Sequence, residues 1–351
     1  MQEILDTLAF EPSKEQMTKR RRIYDTMIDL AATLERVPAS LHITISSTPD
    51  PSLLVHITYN VDVYKSTYGS KSVAITRLHT HIAHNSFPLS RSRKTRLMHE
   101  CLKWRQLSHP NIVPLLGVDC NLFFGYPALV NPWFTNGDIR RFITPQSVES
   151  SCERLIKWIT DIASGIAYLH EYGLCHTSLR GNNILVSDDG VAKVGEIIQN
   201  SFRESWRSGT IPHEDGKRWA APELIFYNRY SPASDVYAFG CLCIELFTGK
   251  VPFPELREFH AALSIYHGAV PPRPNTMPDG LWSLINACWH VDPDQRPTMK
   301  RVVEVLSSNN IQEIKVPEIV ALATASMESR QNSESNLDIA TLVNKSLLAV
   351  R

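Results

Sequence analysis

Leu174 to Val186 reads LCHTSLRGNNILV: His176-Thr177-Ser178, then Leu179-Arg180-Gly181, then Asn182-Asn183 leading into the apolar run Ile184-Leu185-Val186. Ser178 is the position on which the chemistry turns. A serine hydroxyl has far too high a pKa to accept a proton near neutrality, and a positioned general base contributes about a hundredfold to ten-thousandfold in rate. Upstream, WITDIASGIAYLHEYG carries apolar residues at helical spacing and predicts a helix over Ser151–Gly173. Downstream, Asp188-Asp189-Gly190 reads as a hairpin turn between two strands.

Moving outward, residues 1–40 show helical periodicity broken at Pro12 and Pro38, a helical extension. From Leu41 the texture changes to short β-branched runs, LHITI, LLVHITYNVDVY and SVAITRL, separated by Pro, Asp and Gly. Ser90–Leu107 reads as one helix, and IVPLLGV and FFGYPALVN as two more strands. Beyond Pro132 the clearest helices are Ser151–Gly173, Ser234–Thr248, Gly280–His290 and Met299–Ser307. From Asn310 the rise of Ser, Asn, Glu and Gln predicts a partly ordered tail, and no internal repeat is visible. The expected architecture is α+β and bilobal: an N-terminal extension (1–40), a β-rich lobe with one main helix (41–131), a larger mostly helical lobe (132–308) and a tail (309–351).

The 351 residues balance 36 Lys plus Arg against 36 Asp plus Glu, so net charge gives no argument for nucleic acid or an anionic membrane. The basic run Lys19–Arg22 continues into an amphipathic pattern and reads as a solvated helix face. Seven cysteines, scattered in apolar contexts and without metal-ligand spacing, predict reduced, buried thiols. Acids within the first fifteen residues do not fit a signal peptide, and the longest apolar stretch, around Val236–Phe247, is interrupted by Gly240 and Glu245. These features together predict a soluble, cytoplasmic protein. His79, His81 and His84 lack a carboxylate or cysteine to complete a metal set and read as packed or exposed histidines.

Several phrases, in order, carry a resemblance. RWAAPEL (Arg218–Leu224), SDVYAFGCLCIELFTGKVPF (Ser234–Phe253), CWHVDPDQRPT (Cys288–Thr298), HPNIVPLLGV, PWFTNGDI and the quoted loop resemble the protein kinase superfamily, in its tyrosine-kinase-like branch, over residues 41–308. The resemblance implies that Asp235 holds the backbone of the catalytic loop and that Glu223 pairs with Arg296, groups that stabilise the fold whether or not it turns over. It further implies that Leu115, Trp104, Ile197 and His176 form a hydrophobic stack, and that Val63, Ala74 and Leu185 flank an adenine site.

Against that pattern the polar machinery is degenerate. Phosphoryl transfer requires a phosphate-covering loop, a lysine on the phosphates, magnesium ligands and an aspartate facing the substrate hydroxyl. His56, Thr58 and Val61 stand at the three glycine positions, so side chains keep backbone amides from phosphate. The Val-Ala-Ile-Lys strand reads Val73-Ala74-Ile75-Thr76, which leaves Glu100 without its lysine, while strand alternation turns Arg77 to the opposite face. Thr177 and Ser178 replace the arginine and aspartate of the catalytic loop, so a phosphorylated Ser201, Ser205, Ser208 or Thr210 would lose its arginine receptor. Glu196-Ile197-Ile198 stands for Asp-Phe-Gly; Glu196 with Asn183 retains oxygens able to hold a divalent ion.

The reading that results is a pseudokinase acting as a scaffold or allosteric partner of other proteins, an active kinase or signalling protein among them, with ATP and magnesium not required. Its rival is a weak or unorthodox Ser/Thr/Tyr kinase that uses Asn183 and Glu196 for metal, because a loose transition state makes the base less essential than positioning. A third reading places the function in residues 1–40 with the kinase-like domain as platform.

Overall fold

The computed structural model describes Thr26, residues 41–45, 51–57, 61–78, Leu97, and residues 100–123, 126–143, 152–196, 216–227 and 230–308. These fall into two compact units: one holds the described residues up to Gly137 and those from Leu185 through Glu196, the other Asp138–Ile184 and the described residues from Gly216 on. Apart from Thr26, the N-terminal extension lies outside the described residues, as do the tail, His79, His81 and His84.

The first unit is built on an antiparallel sheet, β1 (Leu54–Ile57), β2 (Val61–Tyr68), β3 (Lys71–Leu78), β4 (Gly117–Phe123) and β5 (Tyr126–Pro132), in spatial order β1-β2-β3-β5-β4. Alternation along β3 puts Val73 and Ile75 into a core with Ile43, Ile45, Leu122, Ala128 and Val130. A helix, α1 (Leu97 and 100–105 as described), accompanies the sheet and buries Leu97, Cys101 and Trp104.

Three strand predictions change. LHITI does not extend into a strand: it pairs with β4 at a single parallel bridge, Val118 N–H donating to Leu41 O at 2.7 Å and Ile43 N–H to Val118 O at 3.0 Å, and beyond it Asp119 Oδ2 takes the Ile45 N–H at 2.7 Å. IVPLLGV enters the sheet only at Gly117, because its first half pairs elsewhere: Val113 N–H donates to Val194 O at 2.8 Å and Val194 N–H to Asn111 O at 2.8 Å. FFGYPALVN is split, with Phe123 closing β4 and Tyr126 opening β5. The Asp188–Gly190 turn does join β6 (Ile184–Val186) to β7 (Ala192–Val194), with Gly190 left-handed at φ +80°.

The second unit is mostly helical: α2 (Ile139–Phe142), α3 (Cys152–Glu171), α4 (Pro222–Tyr227), α5 (Pro232–Thr248), α6 (Glu258–Tyr266), α7 (Asp279–Cys288) and α8 (Met299–Ser307). Helix α3 buries Leu155, Trp158, Ile159, Ile162, Ile166 and Leu169, a 3.6-residue stripe, and α8 packs on it. Helix α5 is buried around its whole circumference. It starts two residues earlier than its apolar run because Ser231 and Ser234 cap it reciprocally, each side chain taking the other's backbone N–H at 3.2 and 3.1 Å. Helices α2 and α4, of four and six residues, are too short to show periodicity, and no helix among the described residues is long and apolar enough to cross a membrane.

All seven cysteines are free. Cys101, Cys241, Cys243 and Cys288 are buried, and burial pushes the Cys288 thiol up to about 12, so these are packing groups. Cys152 departs from the sequence reading: at the first residue of α3 it is exposed.

Candidate functional site

In the second unit the quoted loop is held from below by α5. Asp235, on its first turn and fully buried, accepts the His176 N–H on Oδ2 and the Thr177 N–H on Oδ1, both at 2.7 Å, and meets His170 Nε2 at 2.9 Å. This clamp fixes a path that the residues themselves would not choose: Thr177, a β-branched residue, sits at φ +64°. Ser178 is buried, its N–H donates to His176 Nδ1 at 3.3 Å, and Asn183 Nδ2 donates to its carbonyl oxygen at 2.6 Å and its Oγ at 3.2 Å. The Asn183 amide nitrogen is thereby committed to Ser178, leaving its oxygen as the group able to face a cation.

The tip of the loop rests on a second buried carboxylate. Glu245 Oε2 accepts the Gly181 N–H at 3.0 Å and Trp219 Nε1 at 2.8 Å, while Arg140 Nε lies 3.1 Å from Oε1 in ion-pair contact without hydrogen-bond alignment. Arg140 Nη1 also donates to Asn182 Oδ1 at 2.8 Å. Gly181 admits no side chain, since a Cβ there would stand 2.5 Å from Arg140 Cγ. Burial pushes the Glu245 carboxyl up, opposed by the Gly181 N–H, Arg140, Trp219 and Arg180. Sequence reasoning passed over Glu245, Arg140 and Trp219. The available signal was a carboxylate in the middle of an apolar run, which must be paired if it is buried.

Further from the loop, Arg296 Nη1 and Nη2 meet Glu223 Oε1 and Oε2 at 2.7 and 2.9 Å in a two-pronged pair. The same guanidinium donates to Ala233 O and His290 O, both at 2.9 Å, and lies 5.2 Å from the Tyr237 ring centre.

In the first unit, pairing register sorts the nucleotide-related positions. Val63 stands opposite Thr76, and Thr76 opposite Leu129; Ala74 faces Asn131 and Lys65. Directly paired residues share a face, so Val63, Ala74, Thr76, Lys65, Leu129 and Asn131 lie on one side of the sheet. Val63, Ala74, Thr76 and Leu185 are half-buried. Arg77 takes the other side: it pairs with Asp62, its Nε 4.0 Å from Oδ2, and its guanidinium lies 5.4 Å from the Phe123 ring, which packs on the Ile75 core. At the glycine positions, His56 pairs with Val63 and Val61 is buried; Thr58 lies outside the described residues.

Glu100 is half-buried on α1 and has a partner within the fold, so loss of the strand lysine does not leave it an orphan. Trp104 donates through Nε1 to Val113 O at 2.7 Å and, with Leu115, is buried; His176 is buried in the other unit, and Ile197 lies outside the described residues. Glu196, half-buried, adopts φ +58°, a left-handed conformation rare for a glutamate. Asn183 and Glu196 belong to different units. Among the described residues no group of three or more His, Cys, Asp or Glu could hold a metal ion. Ile198, Ser201, Ser205, Ser208 and Thr210 lie outside the described residues.

Residues 61–306 match the family model described as protein tyrosine and serine/threonine kinase. Among curated proteins, the chain is 30% identical over 253 residues to the Arabidopsis thaliana serine/threonine/tyrosine-protein kinase HT1, covering 70% of this chain and 62% of that one. It is 28% identical over 251 residues to the Arabidopsis serine/threonine-protein kinase STY17, covering 70% of this chain and 42% of that one. It is 32% identical over 212 residues to mitogen-activated protein kinase kinase kinase 10 of Xenopus laevis, covering 58% and 21%. The chain thus spans less than two thirds of the length of these relatives. With the closing-motif ion pair, the aspartate clamp and the sheet order all in place within the matched region, the chain belongs to the protein tyrosine and serine/threonine kinase family.

Proposed function

We propose that this domain is a pseudokinase: a kinase fold kept for its shape, acting as a scaffold or allosteric partner of other proteins in intracellular signalling, an active kinase among them. The observation that carries the reading is the pair Thr76 and Arg77. The position from which the family's lysine reaches the phosphates holds an uncharged threonine, and the neighbouring cation is turned to the opposite face and paired with Asp62. The residues present fit a magnesium–nucleotide pair poorly, since His56 and Val61 also carry side chains at glycine positions and Ser178 brings no carboxylate. Groups that act as a unit in catalysis lose most of their joint benefit when the first is removed. The domain limits 41–308, with an extension before and a tail after, belong to the same proposal.

The test is a melting curve of the full chain with millimolar ATP and magnesium or manganese, paired with an autophosphorylation assay. No shift and no phosphorylation are expected. A clear shift together with autophosphorylation lost in Asn183→Ala and Glu196→Ala would establish the rival, a weak kinase. One observation favours that rival: Glu196 is held in a strained left-handed conformation, and such strain is concentrated at functional sites.

A further inference from the structure

We propose that the catalytic-loop face of the second unit is a receptor for a phosphomonoester, the phosphorylated serine, threonine or tyrosine side chain of a partner protein. The proposal rests on the pseudokinase reading only in that no proton acceptor is needed at position 178. Two guanidinium groups, Arg140 and Arg180, act on the single carboxylate of Glu245 beneath the loop tip. Arg140, Arg180 and Lys217 stand against Glu245 and the Asp235 carboxylate that holds the loop backbone, so with Ser178 one positive charge is left over, which an aspartate at 178 would cancel. A dianionic phosphoryl group, repelled by that aspartate, is attracted instead.

Arg180 is incompletely satisfied by the fold. Its Nε is buried and has no hydrogen-bond partner. The two most heavily engaged arginines of this unit differ: Arg218 reaches Glu258, Pro252 O, Phe253 O and Leu256 O, and Arg296 reaches Glu223, Ala233 O and His290 O. On one flank stands Gly216, at φ +112°, which carries no side chain; a Cβ there would stand 3.7 Å from Arg180 Nη1. Lys217 follows directly and is half-buried, and Asn182 is exposed at the loop tip, where it steers Arg140. A phosphoryl group brings three strong acceptor oxygens, which suit a guanidinium fork flanked by further donors.

The experiment titrates the full chain, free of nucleotide and metal, with blocked Gly-X-Gly tripeptides in which X is phosphoserine, phosphothreonine or phosphotyrosine, with their unphosphorylated forms, and with inorganic phosphate, by calorimetry. At least one phosphorylated peptide should bind, the unphosphorylated forms should not, and inorganic phosphate should compete. Arg180→Gln should weaken binding by about tenfold or more, the scale of a lost charge-assisted hydrogen bond. Ser178→Asp should do the same although every basic residue remains, and it carries the test alone if Arg180→Gln fails to fold. Equal binding to wild type and Ser178→Asp, binding of inorganic phosphate alone, or no binding at all would each overturn the proposal. ATP-dependent autophosphorylation would overturn the pseudokinase reading instead, and the two failures are read in separate assays.

Discussion

Asn183 binds Ser178 twice with one nitrogen: Nδ2 lies 2.6 Å from the serine carbonyl oxygen and 3.2 Å from its Oγ. The two bonds differ in what replaces them. Ser178→Ala removes the Asn183–Oγ contact and should cost about 0.5–1.5 kcal/mol, whereas Asn183→Ala removes the donor to a buried carbonyl as well and should cost about 1–3 kcal/mol. Urea midpoints of the two variants, compared at equal slope, check the order; a larger loss for Ser178→Ala would contradict it.

Arg296 is fully buried at its side chain and Glu223 is 15% exposed there, so solvent screens their pair little. Arg296→Ala should therefore destabilise the chain by about 3–5 kcal/mol, because it leaves the Glu223 carboxylate without its cation and removes the bonds to two carbonyl oxygens. Arg296→Lys should restore less than half of that, since an ammonium cannot serve the two glutamate oxygens, Ala233 O and His290 O together. Denaturation of both variants measures the difference.

Glu245 gives stability a pH dependence whose sign is set by burial. Its carboxyl is pushed above the ordinary 4.5, chiefly by desolvation. Between 4.5 and the raised folded value, the native chain holds a proton that the unfolded chain has released. Stability must fall as pH rises through that window and level off above it. The stability of wild type minus that of Glu245→Gln should decline over the same range. Urea midpoints at successive pH values test this, and a difference that rises with pH would show the sign to be wrong.

Gly117 opens β4 where the Leu41–Ile45 segment crosses it. A Cβ there would stand 2.6 Å from Ile43 Cδ1 and 2.6 Å from the Leu41 carbonyl oxygen, a backbone atom that cannot swing aside. Gly117→Ala should cost about 1–3 kcal/mol through overpacking. Asp119→Ala should loosen the same segment by another route, because Asp119 accepts the N–H groups of Ile45, Asn121 and Leu122 at 2.7, 2.8 and 2.9 Å. Amide hydrogen exchange at residues 43–45 should quicken in both variants.

What could be read in the sequence was what is local or strongly periodic. The stripe of α3, the run of α5 and the exact limits of α8 follow from side-chain spacing, and the opposite facing of Arg77 and Thr76 follows from strand alternation. What could not be read depends on distant partners. LHITI has the composition of a strand, yet its amide at Ile45 goes to a carboxylate 74 residues away. IVPLLGV is divided because β7, far along the chain, takes the hydrogen bonds of its first half. Glu245 interrupts an apolar helix in sequence, and only the fold brings Arg140, Gly181 and Trp219 to it.

The clamp of Asp235 holds this loop from α5 through the backbone N–H groups of His176 and Thr177, which any residue but proline would still supply. The missing arginine and aspartate could accordingly be reinstalled on a backbone already bent to receive them. On the pseudokinase reading proposed above, the worth of each catalytic group could then be measured as it is added, where ordinary mutagenesis of an intact enzyme can only subtract.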